Sequence, residues 1–237
     1  NISDDPAILD SYTQLWFWLF DMADILNPET RYMPIRAEAI LLPGSTEEVQ
    51  AIVKAANKYK IRIKPLGTGW LFSNGALTKG TTILDLRRMD KIIELDEKNM
   101  FAIIEPYVIA GALQAEAMKR GLNCHMIGAG ANCSVLATTW CLGGMSPQGV
   151  YMGWGEENGL AVEWVTPEGE IIRTGSLASD AGWFCGEGPG PSTRGIIRGC
   201  GGGLGGWGIV TKTAIKLHPW AGPKEFPLEG NIPYLAA

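Results

Sequence analysis

The sequence predicts an α+β fold in which a strand–helix–strand unit precedes a strand-rich segment. Residues 39–65 show a short apolar strand, a capped amphipathic helix and a second strand in succession. Strand patterns then recur from residue 81 to residue 108 and again from residue 160 onward. Glycine supplies 31 of the 237 residues without a three-residue period, which indicates tight turns or a close approach of the backbone to a bound molecule.

The individual elements follow in order along the chain. Residues 8–26 have helical spacing with apolar residues on most sides. Ser45 and Glu48 form a predicted capping box for a helix that continues to Tyr59. A second helix is expected over residues 110–119, whereas residues 127–159 carry few helix or strand signals. Strands are expected at residues 39–42, 61–65, 81–86, 92–95, 101–108, 160–165, 170–174 and 209–217.

Composition and charge exclude several classes of protein. Hydrophobic residues make up 46% of the chain and charged residues 19%, which is typical of a globular protein and not of a disordered one. The net charge of -5 and the pI near 5.2 argue against binding to nucleic acid or to an anionic membrane surface. We also expect no transmembrane segment, because no apolar run approaches the ~20 residues that span a bilayer.

Cysteine and histidine are too few and too scattered to predict a metal centre. No C-x-x-C pair occurs among the five cysteines, and His125 and His218 are the only histidines. We therefore expect neither structural zinc nor an iron–sulfur cluster, and no other metal. Reduced, buried thiols are typical of a cytoplasmic protein, which is the location that we expect.

Three glycine-rich stretches occur in order: residues 65–69 (P-L-G-T-G), residues 142–144 (L-G-G) and residues 204–211 (L-G-G-W-G-I-V-T). Glycine lets consecutive main-chain N–H groups approach an anion without a side chain between them. The first stretch is neither a Walker loop nor a dinucleotide fingerprint, because no Gly-Lys-Ser/Thr follows it and no Gly-x-Gly-x-x-Gly opens a helix.

Together with residues 42–49 (L-P-G-S-T-E-E-V), this ordered set resembles the FAD-binding domain of the vanillyl-alcohol oxidase and p-cresol methylhydroxylase (PCMH) superfamily. That superfamily includes glycolate and D-lactate dehydrogenases and alkyl-dihydroxyacetonephosphate synthase. Residues 42–49 are similar to its P-x-S-x-E-E-V motif, and the second and third stretches are similar to its T-I-G-G and E-G-x-L-G-I-V-T motifs. The resemblance runs from about Arg36 to about Trp220 and implies a PCMH-type fold, in which two α/β subdomains with mixed sheets hold FAD between them.

The resemblance also implies a division of the chain into domains. We expect a helical arm over residues 1–35, a first FAD-binding subdomain over residues 36–98 and a second over residues 99–220. Residues 221–237 are expected to be a Pro-rich tail or a linker toward a cap domain, which relatives carry and which we expect to be absent from these 237 residues. Because that cap domain supplies the acid and base in relatives, no catalytic residue is assigned. Either a partner chain or the missing cap domain is expected to complete the molecule, and an electron acceptor protein is a further expected partner. The aromatic residues 15–20 are a natural docking surface for another chain.

Carried over to this chain, the resemblance implies a cofactor site built largely from main chain. Residues 66–70 would wrap the FAD pyrophosphate, residues 141–146 would run past the ribityl chain, and Ile209 would hold the adenine edge. The residues expected to contact FAD are Pro65, Leu66, Gly67, Thr68, Gly69, Trp70, Ser73, Asn74, Cys141, Leu142, Gly143, Gly144, Ser146, Gly155, Asn158, Gly208 and Ile209.

Several positions depart from the family pattern. Trp70 stands where covalent members carry the attaching histidine, so we expect non-covalent FAD. Cys141, where many relatives have threonine, is either a small buried hydrophobe or a thiol near the flavin. Leu204 stands where glutamate is usual, so any contact of that carboxylate is lost. Arg194 and Arg198, in a Gly-Pro-Gly-Pro segment outside the pattern, either bind a substrate carboxylate or form an ordinary surface pair.

By this resemblance the chain is an FAD-dependent oxidoreductase, in which the flavin accepts a hydride from a 2-hydroxy acid or similar alcohol and passes electrons to a partner. Two alternatives remain open. One is an FAD electron-relay subunit of a larger complex of the molybdenum-hydroxylase type. The other is a non-catalytic scaffold, which the loss of glutamate at position 204 and the missing cap domain favour.

Overall fold

The computed structural model describes residues 1–12, 36–70, 78–128, 130–141, 144–186, 206–220 and 222. Within these ranges the strands form two sheets, joined by one helix that contacts both. None of the helices in these ranges is both long and apolar enough to cross a bilayer. Several sequence predictions lie outside the described residues: most of the helix at 8–26, and Ser73, Asn74, Leu142, Gly143, Arg194, Arg198 and Leu204.

The first sheet contains the strand–helix–strand unit that the sequence predicts. Its strand order is β1 (Ile2–Ser3), β2 (Ile40–Leu41), β4 (Thr81–Asp85) and β3 (Arg62–Leu66). Both β2 and β3 run parallel to β4, whereas β1 pairs antiparallel with β2. A short helix α1 (Pro6–Ser11) follows β1, and helix α2 (Thr46–Tyr59) connects β2 to β3. This crossover places the carboxyl ends of β3 and β4 at the same edge of the sheet.

Helix α2 begins at a cap that differs in one bond from the predicted capping box. Ser45 Oγ accepts a hydrogen bond from Glu48 N at 3.2 Å, as expected. The Glu48 carboxylate, however, accepts from Gly44 N at 2.8 Å instead of from Ser45 N. The helix ends at Lys60, which adopts a left-handed conformation with φ 58°.

The second sheet is antiparallel, with the order β5 (Ile92–Asp96), β6 (Phe101–Ile104), β10 (Ile209–Pro219), β8 (Gly159–Val165) and β9 (Ile171–Arg173). A short strand β7 (Leu122–Cys124) pairs with the far end of β10. Helices α3 (Ala110–Met118) and α4 (Val135–Trp140) cover one face, where Leu113 and Trp140 pack into a buried cluster with Ile215. The two-sheet arrangement confirms the predicted α+β fold.

Two differences from the sequence prediction have physical reasons. The strand expected over residues 101–108 ends at Ile104, because Pro106 has no N–H group and cannot continue the ladder. The stretch expected to lack regular structure contains helix α4, helix α5 (Gly149–Met152) and a 3-10 turn (Gly155–Asn158). These elements are four to six residues long, too short for hydrophobic periodicity to reveal.

Helix α2 is where the two sheets meet. Val49 on the helix packs in one buried cluster with Leu84 of the first sheet and Val165 of the second. Three polar contacts join the same helix to β8 and to the turn that follows it. Thr46 Oγ1 donates to Glu163, Gln50 Nε2 donates to Gly169 O, and Asn57 Nδ2 donates to Pro167 O, over 2.7 to 3.0 Å.

Candidate cofactor site

The first glycine stretch leaves the first sheet at its carboxyl edge. Strand β3 ends at Leu66 beside Asp85, the last residue of β4, and Leu86 N donates to Leu66 O at 3.0 Å. In sheets of parallel strands this edge is the usual place for a ligand. Residues 67–70 therefore begin where a cofactor would be expected to bind.

Gly67 leaves the main chain of this loop open. A Cβ atom at this position would meet no described atom within 4 Å, so the absence of a side chain is not required by packing. Gly69 has φ 76°, a left-handed conformation that side chains disfavour. The loop thus combines an unobstructed backbone with a turn that glycine permits, which fits a ligand bound by main-chain N–H groups.

The loop is held against the second subdomain by a hydroxyl group. Ser134 N donates to Thr68 Oγ1 at 3.1 Å. The Ser134 side chain caps helix α4 by accepting from Ala137 N at 3.1 Å and donates to Pro106 O at 2.5 Å. Because Ser134 is fixed by these bonds, it fixes the glycine loop relative to the second sheet.

Trp70 makes a second contact between the loop and the residues just before Ser134. A Cβ at Gly130 would lie 2.9 Å from Trp70 Cζ2, so the indole ring packs directly on the glycine. Trp70 lacks the imidazole nitrogen through which covalent members attach the flavin at this position. The expectation that it packs on the cofactor or shields it stays a prediction, since the contact observed here is with the protein.

Gly144, the described residue of the second glycine stretch, and Met145 beside it bond to residues on either side of Ser134. Gly155 N donates to Gly144 O, and Gly144 N donates to Thr138 O, both at 2.8 Å. A Cβ at Gly155 would lie only 2.8 Å from Gly144 N and from Thr138 O, so glycine is needed for backbone packing here. Gly128 N also donates to Met145 O at 3.0 Å, next to Ser146.

Asn158 has a structural position within this arrangement. Its Nδ2 donates to Met152 O and Trp154 O, at 3.0 and 2.8 Å. Its Oδ1 lies 2.7 Å from His218 Nε2. Since the amide is used inside the chain, a ligand would meet the main chain of Asn158 more readily than its side chain.

Cys141 ends helix α4 and packs against the main apolar cluster of the second sheet. Burial raises the pKa of its thiol to about 11, so the group is protonated at neutral pH. A protonated thiol among apolar side chains behaves as a small hydrophobe, which favours the first of the two interpretations given above.

The third stretch is held by different contacts. Gly208 has φ 117°, and a Cβ there would collide with Val165 O. Ile209 pairs with Val165 in the second sheet and joins the apolar cluster around helix α2. Among the described residues, the structure therefore connects the first stretch and the chain around Gly144 through Gly128 and residues 130–134, whereas Gly208 and Ile209 lie against β8 and Ile209 also packs in the cluster around α2.

Sequence reasoning did not identify Ser134 and Gly130, which join the loop to the second subdomain. A signal for Ser134 was present, because serine directly before the apolar run 135–137 is typical of a helix N-cap. The partner relation between Thr68 and Ser134, 66 residues apart, carries no local signal.

Comparisons with known proteins agree with this geometry. The family model described as FAD binding domain matches residues 37–175. The chain is 27% identical over 195 residues to the glycolate oxidase subunit GlcD of Bacillus subtilis, covering 81% of this chain and 39% of that protein. It is 31% identical over 190 residues to the 4-cresol dehydrogenase [hydroxylating] flavoprotein subunit of Pseudomonas putida, covering 76% and 35% respectively.

Solved structures show the same fold. The structure of 4-ethylphenol oxidase from Gulosibacter chungangensis matches with a TM-score of 0.75 at 25% identity, over 92% of this chain and 40% of that one. A p-cresol methylhydroxylase with bound substrate matches with a TM-score of 0.73 at 22% identity, over 93% and 41% respectively. These matches confirm the PCMH-type fold.

The chain thus spans about two fifths of the length of these relatives. The matched region contains the first glycine loop, whose main chain is open at Gly67, and Ser134, which holds that loop. The family match and the shared fold show that the chain belongs to the FAD-binding domain family of PCMH type, and the open loop agrees with them. Its cofactor is FAD.

Proposed function

We propose that this chain is the FAD-carrying part of an oxidoreductase that removes a hydride from a 2-hydroxy acid or a similar alcohol. The family membership and the name of the glycolate oxidase subunit support this substrate class. Bound FAD would supply a ring that accepts the hydride and releases electrons to an acceptor. A partner chain or a further domain would complete the substrate side of the site, and a cytoplasmic location belongs to the same proposal.

The observation that carries the proposal is the open main chain at Gly67, held in place by the contact between Thr68 and Ser134. A diphosphate carries two negative charges and needs several convergent donors. The N–H groups of residues 66–70 would donate to it, while Ser134 would keep the loop and the second subdomain in register.

We propose non-covalent attachment of the flavin, which the side chains at the site support. Trp70 lacks the imidazole nitrogen through which covalent members attach the flavin, and the Cys141 thiol is protonated because burial raises its pKa to about 11. Precipitation of the protein with acid should therefore release all the flavin into the supernatant. Yellow colour retained in the precipitate would contradict this part of the proposal.

Substitution of Gly67 by valine tests the diphosphate assignment. The side chain would project into the open space where the diphosphate is proposed to bind, and we expect the Kd for FAD to rise roughly a hundredfold, the loss of about two hydrogen bonds to a charged group. Quenching of flavin fluorescence during titration measures the affinity, and circular dichroism checks the fold.

Gly149→Val is the matched control, because a Cβ at Gly149 also meets no described atom within 4 Å. This variant should bind FAD like the wild type. If Gly67→Val retains full affinity while folded, the diphosphate does not lie at residue 67.

The reaction class is tested by anaerobic mixing of the flavin-loaded protein with 2-hydroxy acids and, separately, with 4-alkylphenols. Loss of flavin absorbance with a 2-hydroxy acid is the expected result. Reduction by 4-alkylphenols alone would contradict the 2-hydroxy acid and indicate the substrate class for which two of the relatives are named. A third outcome is that the protein binds flavin, that neither substrate class reduces it, and that a reduced partner protein does. This outcome would favour the electron-relay alternative.

A further inference from the structure

A buried carboxylate stands beside the glycine loop at the carboxyl edge of the first sheet. Asp85, the last residue of β4, is fully buried and lies opposite Leu66 in the parallel register. Its carboxylate accepts from Tyr12 Oη at 2.6 Å, from Arg87 Nε at 2.7 Å and from Arg87 N at 2.9 Å. The carboxylate is thus satisfied within the chain and orients the arginine.

The Arg87 guanidinium is held on one side only. Nε bonds to Asp85, and the Tyr12 ring lies 5.5 Å from the guanidinium carbon. The side chain is half-exposed, and among the described residues its two terminal nitrogens have no acceptor. An arginine fixed in this way by a buried acid and an aromatic ring loses little entropy when it binds an anion.

Its position is next to the loop. Leu86, which precedes Arg87, donates its N–H to Leu66 O where the loop begins. Tyr107, close enough to affect the guanidinium electrostatically, follows Pro106, whose carbonyl accepts from Ser134. Arg87 therefore follows the residue that bonds to the start of the loop, and Tyr107, which lies near it, follows the residue that binds Ser134.

We propose that Arg87 binds the diphosphate of FAD through its terminal nitrogens. This inference rests on the proposed function, in which residues 66–70 hold the same group. Main-chain donors alone leave the two negative charges of the diphosphate uncompensated, whereas a guanidinium adds a positive charge and two parallel donors. The preceding contacts with Asp85 and Tyr12 set the direction in which these donors point.

Arg88 provides a matched control beside it. Its guanidinium donates to Leu42 O at 2.7 Å and pairs with Glu48 at 3.6 Å. It is also half-exposed, carries the same charge and is the next residue along the chain, but its donors are engaged by Leu42, just after β2, and by Glu48 of helix α2.

The experiment compares Arg87→Gln, Arg87→Lys and Arg88→Gln in flavin-free protein titrated with FAD and with ADP, at low and high salt. We expect Arg87→Gln to raise both Kd values by about ten- to a hundredfold, the loss of one or two charge-assisted hydrogen bonds. The salt dependence of binding should become weaker in this variant. Arg87→Lys should recover part of the affinity, and Arg88→Gln should bind like the wild type.

Two results would overturn the inference. One is an unchanged Kd for FAD and ADP in Arg87→Gln. The other is a weaker Kd accompanied by an equal loss in Arg88→Gln, which would indicate only the removal of a positive charge. A lower unfolding temperature of Arg87→Gln is expected in either case, because the buried Asp85 carboxylate loses its partner, so the Kd values are compared at a temperature at which every variant is folded. Either result leaves the proposed function intact, because FAD binding by the wild-type chain and reduction of its flavin by a 2-hydroxy acid test that function separately.

Discussion

Glu163 is a charged residue buried where the two sheets meet. Its carboxylate accepts from Arg173 at 2.9 Å, from Lys212 at 3.0 Å and from Thr46 of helix α2 at 3.0 Å. Burial acts to raise the pKa of this carboxyl, but the hydrogen bonds from Arg173 and Lys212 outweigh it and the pKa lies below its ordinary value. The negative charge therefore belongs to the folded state.

We expect Glu163→Gln to lower the free energy of unfolding by about 1–3 kcal/mol, because two cations lose their partner and a hydrogen bond to α2 weakens. The wild type should also lose this contribution as the pH falls below about 4.5, the ordinary pKa of glutamate. The ionised Glu163 carboxylate stabilises the fold, and this stabilisation disappears as the carboxylate is protonated. Urea unfolding at pH 7 and pH 4 measures both effects.

Glu170→Gln is the control at the residue scale. Glu170 pairs with Lys54 at 3.4 Å, and both side chains are at least half-exposed. Exposed pairs contribute about 0–1 kcal/mol, so this variant should unfold almost like the wild type. Equal effects of the two substitutions would contradict the special position of Glu163.

At the scale of elements, two histidines lie where β7 pairs with β10. His125, which follows β7, is buried, and among the described residues its Nε2 has no hydrogen-bond partner. His218 on β10 bonds to Asn158 at 2.7 Å and meets the Tyr151 ring edge-on. Burial is the main cause that lowers the pKa of both histidines. At His125 the negative charge of Glu156 opposes this lowering. At His218 the charges of Lys216 and His125 lower the pKa further.

Both histidines are therefore neutral in the fold, and stability should fall as the pH drops below about 6.5, the ordinary pKa of histidine, because the unfolded chain binds protons more readily. We expect the free energy of unfolding to decline between pH 6.5 and pH 5. The double variant His125→Gln, His218→Gln should show a flatter profile. A wild-type profile that is already flat in this range would contradict the effect.

At the scale of the whole molecule, helix α2 contacts both sheets, and we expect the two sheets to open as one cooperative unit. The apolar face of the helix packs on both sheets, and Gln50 and Asn57 bind the turn between β8 and β9. We expect amides in β4 and β8 to exchange hydrogen with the same free energy of opening. A distinctly lower value for one of these strands would show that the sheets open separately.

FAD should then stabilise both sheets together, since the proposed site draws on residues from each. At a free FAD concentration a hundred times the Kd, the free energy of opening should rise by about 2.7 kcal/mol in β4 and in β8 alike. Hydrogen exchange with and without FAD measures it. Protection confined to one sheet would place the cofactor on that sheet alone.

The sequence by itself determined the parts of the molecule whose signals are local. The serine cap of helix α2 and its apolar face appear at fixed spacing, and alternation predicts most strands of both sheets. Glycine at positions 67 and 69 also predicts an open loop, because only the missing side chains need to be known. The FAD-binding family follows from motifs of this kind.

Only the tertiary structure decided which of these parts meet. Thr68 and Ser134 are far apart in sequence, and no periodicity links them, yet their hydrogen bond joins the two subdomains at the loop. The same holds for Thr46 with Glu163, and for the Arg87 guanidinium that Asp85 and Tyr12 orient. Contacts between distant residues depend on how the sheets pack, because sequence patterns record which face is buried but not what it is buried against.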